Sequence, residues 1–107
     1  MEVISTCKER TSTLQFRGEL DHHNAKEAIR RMEQIVAAAL PKQLILDFAG
    51  VTFMDSSGIA LAVRAQRQMN ALGGNAALCN VPSQAKKVFD AAGINRMVPI
   101  LEEEKGK

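Results

Sequence analysis

The 107-residue sequence contains no tryptophan and no tyrosine, and its aromatic content is four phenylalanines. Few flat platforms are present on which nucleobases or a flavin ring could stack, and both ligands are discounted. Cysteine is nearly as scarce. Cys7 and Cys79 stand far apart, with no Cys-x-x-Cys pair and no Cys/His spacing suited to zinc. They make no disulfide framework, and free buried thiols are the expectation. A strong charge of one sign is also missing: the formal charge is +2, and the Lys and Arg residues are scattered instead of forming a basic run for nucleic acid. No apolar run approaches the ~18 residues that span a bilayer. The charges at Glu2, Lys8, Glu9 and Arg10 leave no apolar signal region behind them. The sequence thus reads as a cytoplasmic protein with no direct nucleic-acid or membrane partner, no cofactor and no metal.

What is present is ordinary globular composition, 46% hydrophobic and 24% charged, in a length that fits one compact domain over residues 1–107. Residues 3–6 and 12–17 read as a strand pair. In the second of them Thr13, Gln15 and Arg17 point one way, Leu14 and Phe16 the other, and the polar residues 8–11 offer a hairpin turn. Gly18 is expected to break this strand, leaving residues 19–23 as a polar loop. Asn24 can cap the helix that follows, with Glu27 as its partner in a variant capping box. Ala25, Ala28, Ile29, Met32, Ile35, Val36, Ala39 and Leu40 form that helix's apolar stripe, and Pro41 ends it. Residues 44–48 are a nearly continuous apolar run, the pattern of a covered central strand. A second helix carries Ile59, Ala62, Val63, Met69 and Leu72 and stops at Gly73 and Gly74. Residues 76–81 read as a strand, Pro82 and Ser83 open a third helix that Gly93 closes, and residues 97–101 are a last strand. Residues 102–107 read as a frayed tail.

The order β-β-α-β-α-β-α-β describes a small α/β sandwich: a mixed sheet of about five strands, its later members parallel, covered by three to four helices. In such sheets function gathers outside the carboxyl ends of the parallel strands. The stretch from Phe53 to Ala60 stands there, where an apolar strand gives way to a helix. A helix N-terminus has unpaired amides and a partial positive charge, so it accepts caps and can hold a phosphate. Ser56 and Ser57 are therefore candidate phosphorylation sites, although Asp and Ser also cap ordinary helices. Chemistry alone does not choose between the two hydroxyls. Asp55 can cap the helix and position the acceptor. Gly58 either lets a partner's backbone approach or simply starts the helix, and Met54 and Ile59 either touch a partner or pack in the core.

Taken together, Gly18-Glu19-Leu20-Asp21-His22-His23, Leu44 to Phe48, Phe53-Met54-Asp55-Ser56-Ser57-Gly58, Cys79-Asn80-Val81-Pro82 and Lys87-Val88-Phe89-Asp90 resemble the bacterial anti-sigma factor antagonists of the STAS-domain family. The resemblance covers nearly the whole chain. It implies a binding protein, not an enzyme. When unphosphorylated, such a protein binds an anti-sigma factor and so frees a sigma factor to direct transcription. That anti-sigma factor is also an ATP-dependent serine kinase, which phosphorylates the first serine after the Asp, here Ser56, with Ser57 as second choice. A serine phosphatase reverses the step. The same resemblance places Asp21, His22, His23 and Asn24 with Met54, Asp55, Ser57, Gly58 and Ile59 on the partner face, a solvated loop being the alternative for Asp21 and the histidines. Lys26, Arg30, Arg64 and Arg67 either complement an acidic partner or are solvated.

The physics of such a switch is simple. Phosphorylation adds about −1.5 to −2 charges and three acceptor oxygens at one point. Buried against a partner beside Asp55 and Asp21, that charge is repelled and costly to desolvate. Rival readings fit less well. A serine hydrolase needs a Gly-x-Ser-x-Gly elbow and a later histidine, but Met54 stands two before Ser56 and both histidines precede it. An aspartate-phosphorylated receiver finds only Asp47 and Asp55 as its acidic pocket. A STAS scaffold or ligand sensor, indifferent to Ser56 phosphorylation, is the serious alternative.

Overall fold

A computed structural model describes residues 1–101. Strands β1 (Glu2–Lys8) and β2 (Thr11–Leu20) pair antiparallel with Lys8 opposite Thr11. The two residues between them, Glu9 and Arg10, have φ of 52° and 70°. Positive φ at both central positions is the signature of a type I′ turn, whose twist suits a tight hairpin. Cys7 lies exposed on β1, contrary to the expectation of a buried thiol, because β1 is an edge strand and its second half turns away from the core.

The second strand does not stop at Gly18. It runs on to Leu20, shifting register against its neighbour between Gln15 and Arg17 and again between Gly18 and Glu19, with Gly18 at φ 114°. These irregularities break the alternation that a reader of sequence uses, while the pairing continues. Helix α1 (Ala25–Ala39) follows. Its N-terminus is not capped by the Asn24 side chain, which donates instead to the Glu19 carbonyl at 2.8 Å. Asp21 takes that role: its Oδ1 accepts the amides of His23 and Asn24, each at 3.1 Å. Glu27 pairs with Arg30 one turn on and does not reach back. Leu40, left-handed at φ 48°, and Pro41 end the helix.

Strand β3 (Gln43–Met54) is 12 residues long, well beyond the apolar 44–48, and delivers its last residue beside the last residue of β2. Helix α2 (Ser57–Ala71) ends as expected at Gly73 and Gly74, whose amides reach Asn70 O and Met69 O. Strand β4 (Asn75–Cys79) and helix α3 (Ser83–Ala92) come next. A 3-10 turn at Ile94–Arg96 shortens the last strand, β5, to Ile100–Leu101, since Met97 and Val98 still bond back to Ile94 O. Residues 102–107, expected to be a frayed tail, lie outside the described residues.

The sheet order is β1-β2-β3-β4-β5, with the first pair antiparallel and every later pair parallel. Each β-α-β unit steps in the same direction, so right-handed crossovers place all three helices on one face, with α2 between α1 and α3. Leu14, Phe16, Leu44, Leu46 and Phe48 point into the layer between sheet and helices and meet Met32, Val36, Leu61, Met69 and Phe89, all fully buried. Phe48 links the sheet to α3, its ring 5.6 Å from Phe16 and 5.5 Å from Phe89, the latter edge-on. Among the described residues no helix is long and apolar enough to cross a membrane.

Candidate functional site

The carboxyl ends of β2 and β3 meet at Leu20 and Met54, which are paired and fully buried. An aspartate follows each. The Asp55 amide donates to Leu20 O at 3.3 Å, so the chain leaves β3 still tied to β2. The Asp55 carboxylate then makes two further ties: Oδ1 accepts the Ser57 amide at 2.8 Å and Oδ2 accepts the His22 amide at 3.2 Å. One side chain thereby caps α2 and holds the loop that carries Asp21, His22 and His23. These bonds keep its acidity on the strong side of the ordinary aspartate range. The Ser57 backbone N–H contributes most and partial desolvation opposes it, while the Ser57 hydroxyl, the His22 amide and the nearby His22 charge add to the lowering.

Ser56 and Ser57 differ in this setting. Ser56 is exposed, stands at the N-cap position of α2, and its hydroxyl makes no capping bond. Ser57 is half-buried and its backbone amide is held by the Asp55 carboxylate at 2.8 Å. Of the two roles open to Met54, packing is the one the structure gives, since its side chain is fully buried. Gly58 is buried as well. A Cβ there would collide with Met54 Sδ and Cγ and lie 3.2 Å from Leu20 Cδ2, so its bareness serves the close approach of α2 to the strand ends. Ile59 is half-buried and divides its surface between the core and the groove beside Ser56.

His22 and His23 are exposed and stack on each other, ring centroids 4.8 Å apart. Among the described residues no group of three His, Cys, Asp or Glu side chains is placed to hold a metal ion. Of the basic residues, Arg30 is engaged by Glu27, and Arg64 reaches Glu33 at 2.8 Å across the α1–α2 groove. Two features had no signal in the sequence. Phe53 is 43% exposed at the end of β3, and Gln84 of α3 binds both backbone groups of Met54.

This geometry, a mixed sheet whose parallel strand ends carry an Asp-Ser-Ser-Gly helix start, is that of a STAS domain, and residues 2–106 match that domain's family model. The chain belongs to the STAS family. It is similar to an anti-sigma F factor antagonist of Paenibacillus polymyxa, 29% identical over 87 residues, which are 81% of this chain and 74% of the relative. A second anti-sigma F factor antagonist, from Lysinibacillus sphaericus, is 29% identical over 94 residues, 88% of this chain and 80% of the relative. The solved structure of the anti-sigma factor antagonist SpoIIAA in its unphosphorylated form superposes with a TM-score of 0.81 at 25% identity, covering 97% of this chain and 90% of that one. The expected sandwich, in the expected element order, is this fold.

Proposed function

We propose that this STAS domain is an anti-sigma factor antagonist switched by phosphorylation of Ser56. Unphosphorylated, it binds an anti-sigma factor and so frees a sigma factor. The anti-sigma factor is also the serine kinase: the γ-phosphoryl group of ATP passes to Ser56 Oγ, the bond to ADP breaks, and the hydroxyl proton leaves to a base on the kinase. A serine phosphatase uses water to restore the hydroxyl and release inorganic phosphate.

The observation that carries this reading is the contrast between the two serines. Ser56 is exposed on a fixed helix start, whereas Ser57 is half-buried with its amide bound to Asp55. A kinase needs an accessible nucleophile whose removal into another active site breaks nothing, and Ser56 meets that condition. The relatives' designation as anti-sigma factor antagonists, shared by SpoIIAA, supports the partner class. Asp21, His22 and His23, on the loop that Asp55 ties down, and Ile59, beside Ser56 in the α2–α3 groove, are the candidate partner contacts.

The test is incubation of the chain with its anti-sigma factor kinase and ATP, followed by phosphosite mass spectrometry on wild type, Ser56→Ala and Ser57→Ala. Phosphate on Ser56 in wild type and Ser57→Ala, and none in Ser56→Ala, is the expected result. Modification that survives in Ser56→Ala moves the site to Ser57, and none in any of the three leaves a STAS scaffold.

A further inference from the structure

Helix α3 reaches the switch through one side chain. Gln84 Oε1 accepts the Met54 amide and Gln84 Nε2 donates to the Met54 carbonyl, both at 2.8 Å. This is the pair of bonds a neighbouring strand makes, supplied where β4 no longer pairs with β3, whose register with it ends at Asp47 and Cys79. One helical turn further on, Lys87 stands on the same face of α3, since residues three apart on a helix are neighbours at about 5–6 Å. Lys87, Val88 and Ala91 form one wall of a groove of about 600 Å³, and Ser56 and Ile59 of α2 form the other.

Among the described residues Lys87 is the one charged side chain lining this groove, and none of them forms an ion pair with it. Its neighbour Lys86 is committed elsewhere, to Asp90 at 3.1 Å. The start of α2, meanwhile, has little left to offer an anion. Its first amides already have acceptors: Ser57 on Asp55 Oδ1 at 2.8 Å, Gly58 on Asp55 O at 3.1 Å and Ile59 on Ser56 O at 3.1 Å. A phosphate on Ser56 stands next to the carboxylate of Asp55 and near the loop of Asp21, both repulsive. Its counter-charge has to come from a side chain.

We propose that Lys87 is the counter-cation of phosphorylated Ser56, and that the α2–α3 groove receives the phosphoryl group. The proposal rests on the reading that Ser56 is the modified residue. The modification then acts in two places: it adds negative charge at the helix start and consumes the cation that Lys87 brings to the groove. Ser57, half-buried and outside the groove's lining, gains nothing from Lys87.

The test installs phosphoserine at position 56 of the full chain by genetic encoding, without any kinase, and follows the second ionisation of the phosphate by phosphorus NMR. Among the described residues, the charged and titratable groups on the adjoining loop, helix start and groove are Asp21, His22, His23, Asp55 and Lys87, so the comparison is made in a His22→Gln, His23→Gln background. Lys87→Gln is expected to raise the phosphate midpoint by ~0.5–1 pH unit, as loss of a nearby cation does. Lys87→Arg should restore it, Lys86→Gln should leave it unmoved, and phosphoserine at position 57 should ignore Lys87→Gln. An unchanged midpoint in Lys87→Gln, or an equal rise in Lys86→Gln, overturns the proposal. Because the phosphoserine is genetically encoded, the outcome is independent of whether a kinase modifies Ser56 and whether any partner is released.

Discussion

The backbone amide of His22 donates to Asp55 Oδ2 at 3.2 Å, joining two residues 33 positions apart in sequence across the carboxyl ends of β2 and β3. The bond makes the loop after one strand depend on the charge of the residue after the other. Asp55 is held below its ordinary range, chiefly by the Ser57 backbone N–H. A carboxyl with a depressed folded-state value contributes stability that is complete above the unfolded value, near 3.9, and lost as pH falls through the lower folded value. The His22 amide resonance is therefore expected to titrate with a midpoint below about 3.9, and Asp55→Asn should remove that step. A midpoint at or above the ordinary aspartate value contradicts this.

Gln84→Ala strips the backbone groups of Met54 of both their Gln84 partners, bonds that are part-buried, and a cost of about 1–2 kcal/mol in urea unfolding is expected. Gln84→Glu carries a sharper signature. Its carboxylate still accepts the Met54 amide but repels the Met54 carbonyl, so stability should be low at neutral pH. Stability should recover as pH falls and protonation restores a donor. A flat pH response relative to wild type counts against the bidentate clamp.

At Gly58, a methyl group meets the side chains of Met54 and Leu20, both of them fully buried. Alanine improves helix propensity by up to about 1 kcal/mol, but overpacking of a tight core costs about 1–3 kcal/mol, and the second effect should win. Net destabilisation of Gly58→Ala in thermal or urea unfolding is the expected result. A stabilised variant means α2 does not rest this closely on the strand ends.

The hairpin at Glu9 and Arg10 uses two side-chain-bearing residues at positive φ, 52° and 70°. Glu9→Asn with Arg10→Gly supplies the residues that favour this turn, and a gain of about 1 kcal/mol is expected with no effect on Ser56 phosphorylation. Unchanged or reduced stability would place the turn in another conformation.

Element order was legible because the helical stripes and the strands between them are long and periodic. Ala25 to Leu40 and Ile59 to Leu72 have only one amphipathic reading. Strand ends were not, since Gly18 imitates a terminator while the register shifts beside it hide the continuing alternation. Capping went to Asp21 over Asn24 because the preceding turn is fixed by tertiary pairing at Leu20, which local sequence does not contain. The Asp55 tie to Ser57 was foreseeable from Asp two residues ahead of a helix amide. Its bond to His22 and the grip of Gln84 on Met54 were not, being contacts across more than thirty and thirty positions whose partners are backbone groups.

The central claim is that charge on Ser56 decides partner binding while the fold stays as it is. Calorimetric titration of the anti-sigma factor kinase with unmodified chain and with chain bearing phosphoserine at 56 tests it directly. The account predicts a loss of a few hundred- to a thousandfold in affinity, ~3–4 kcal/mol, with an unchanged circular dichroism spectrum. Equal affinity of the two forms would contradict it.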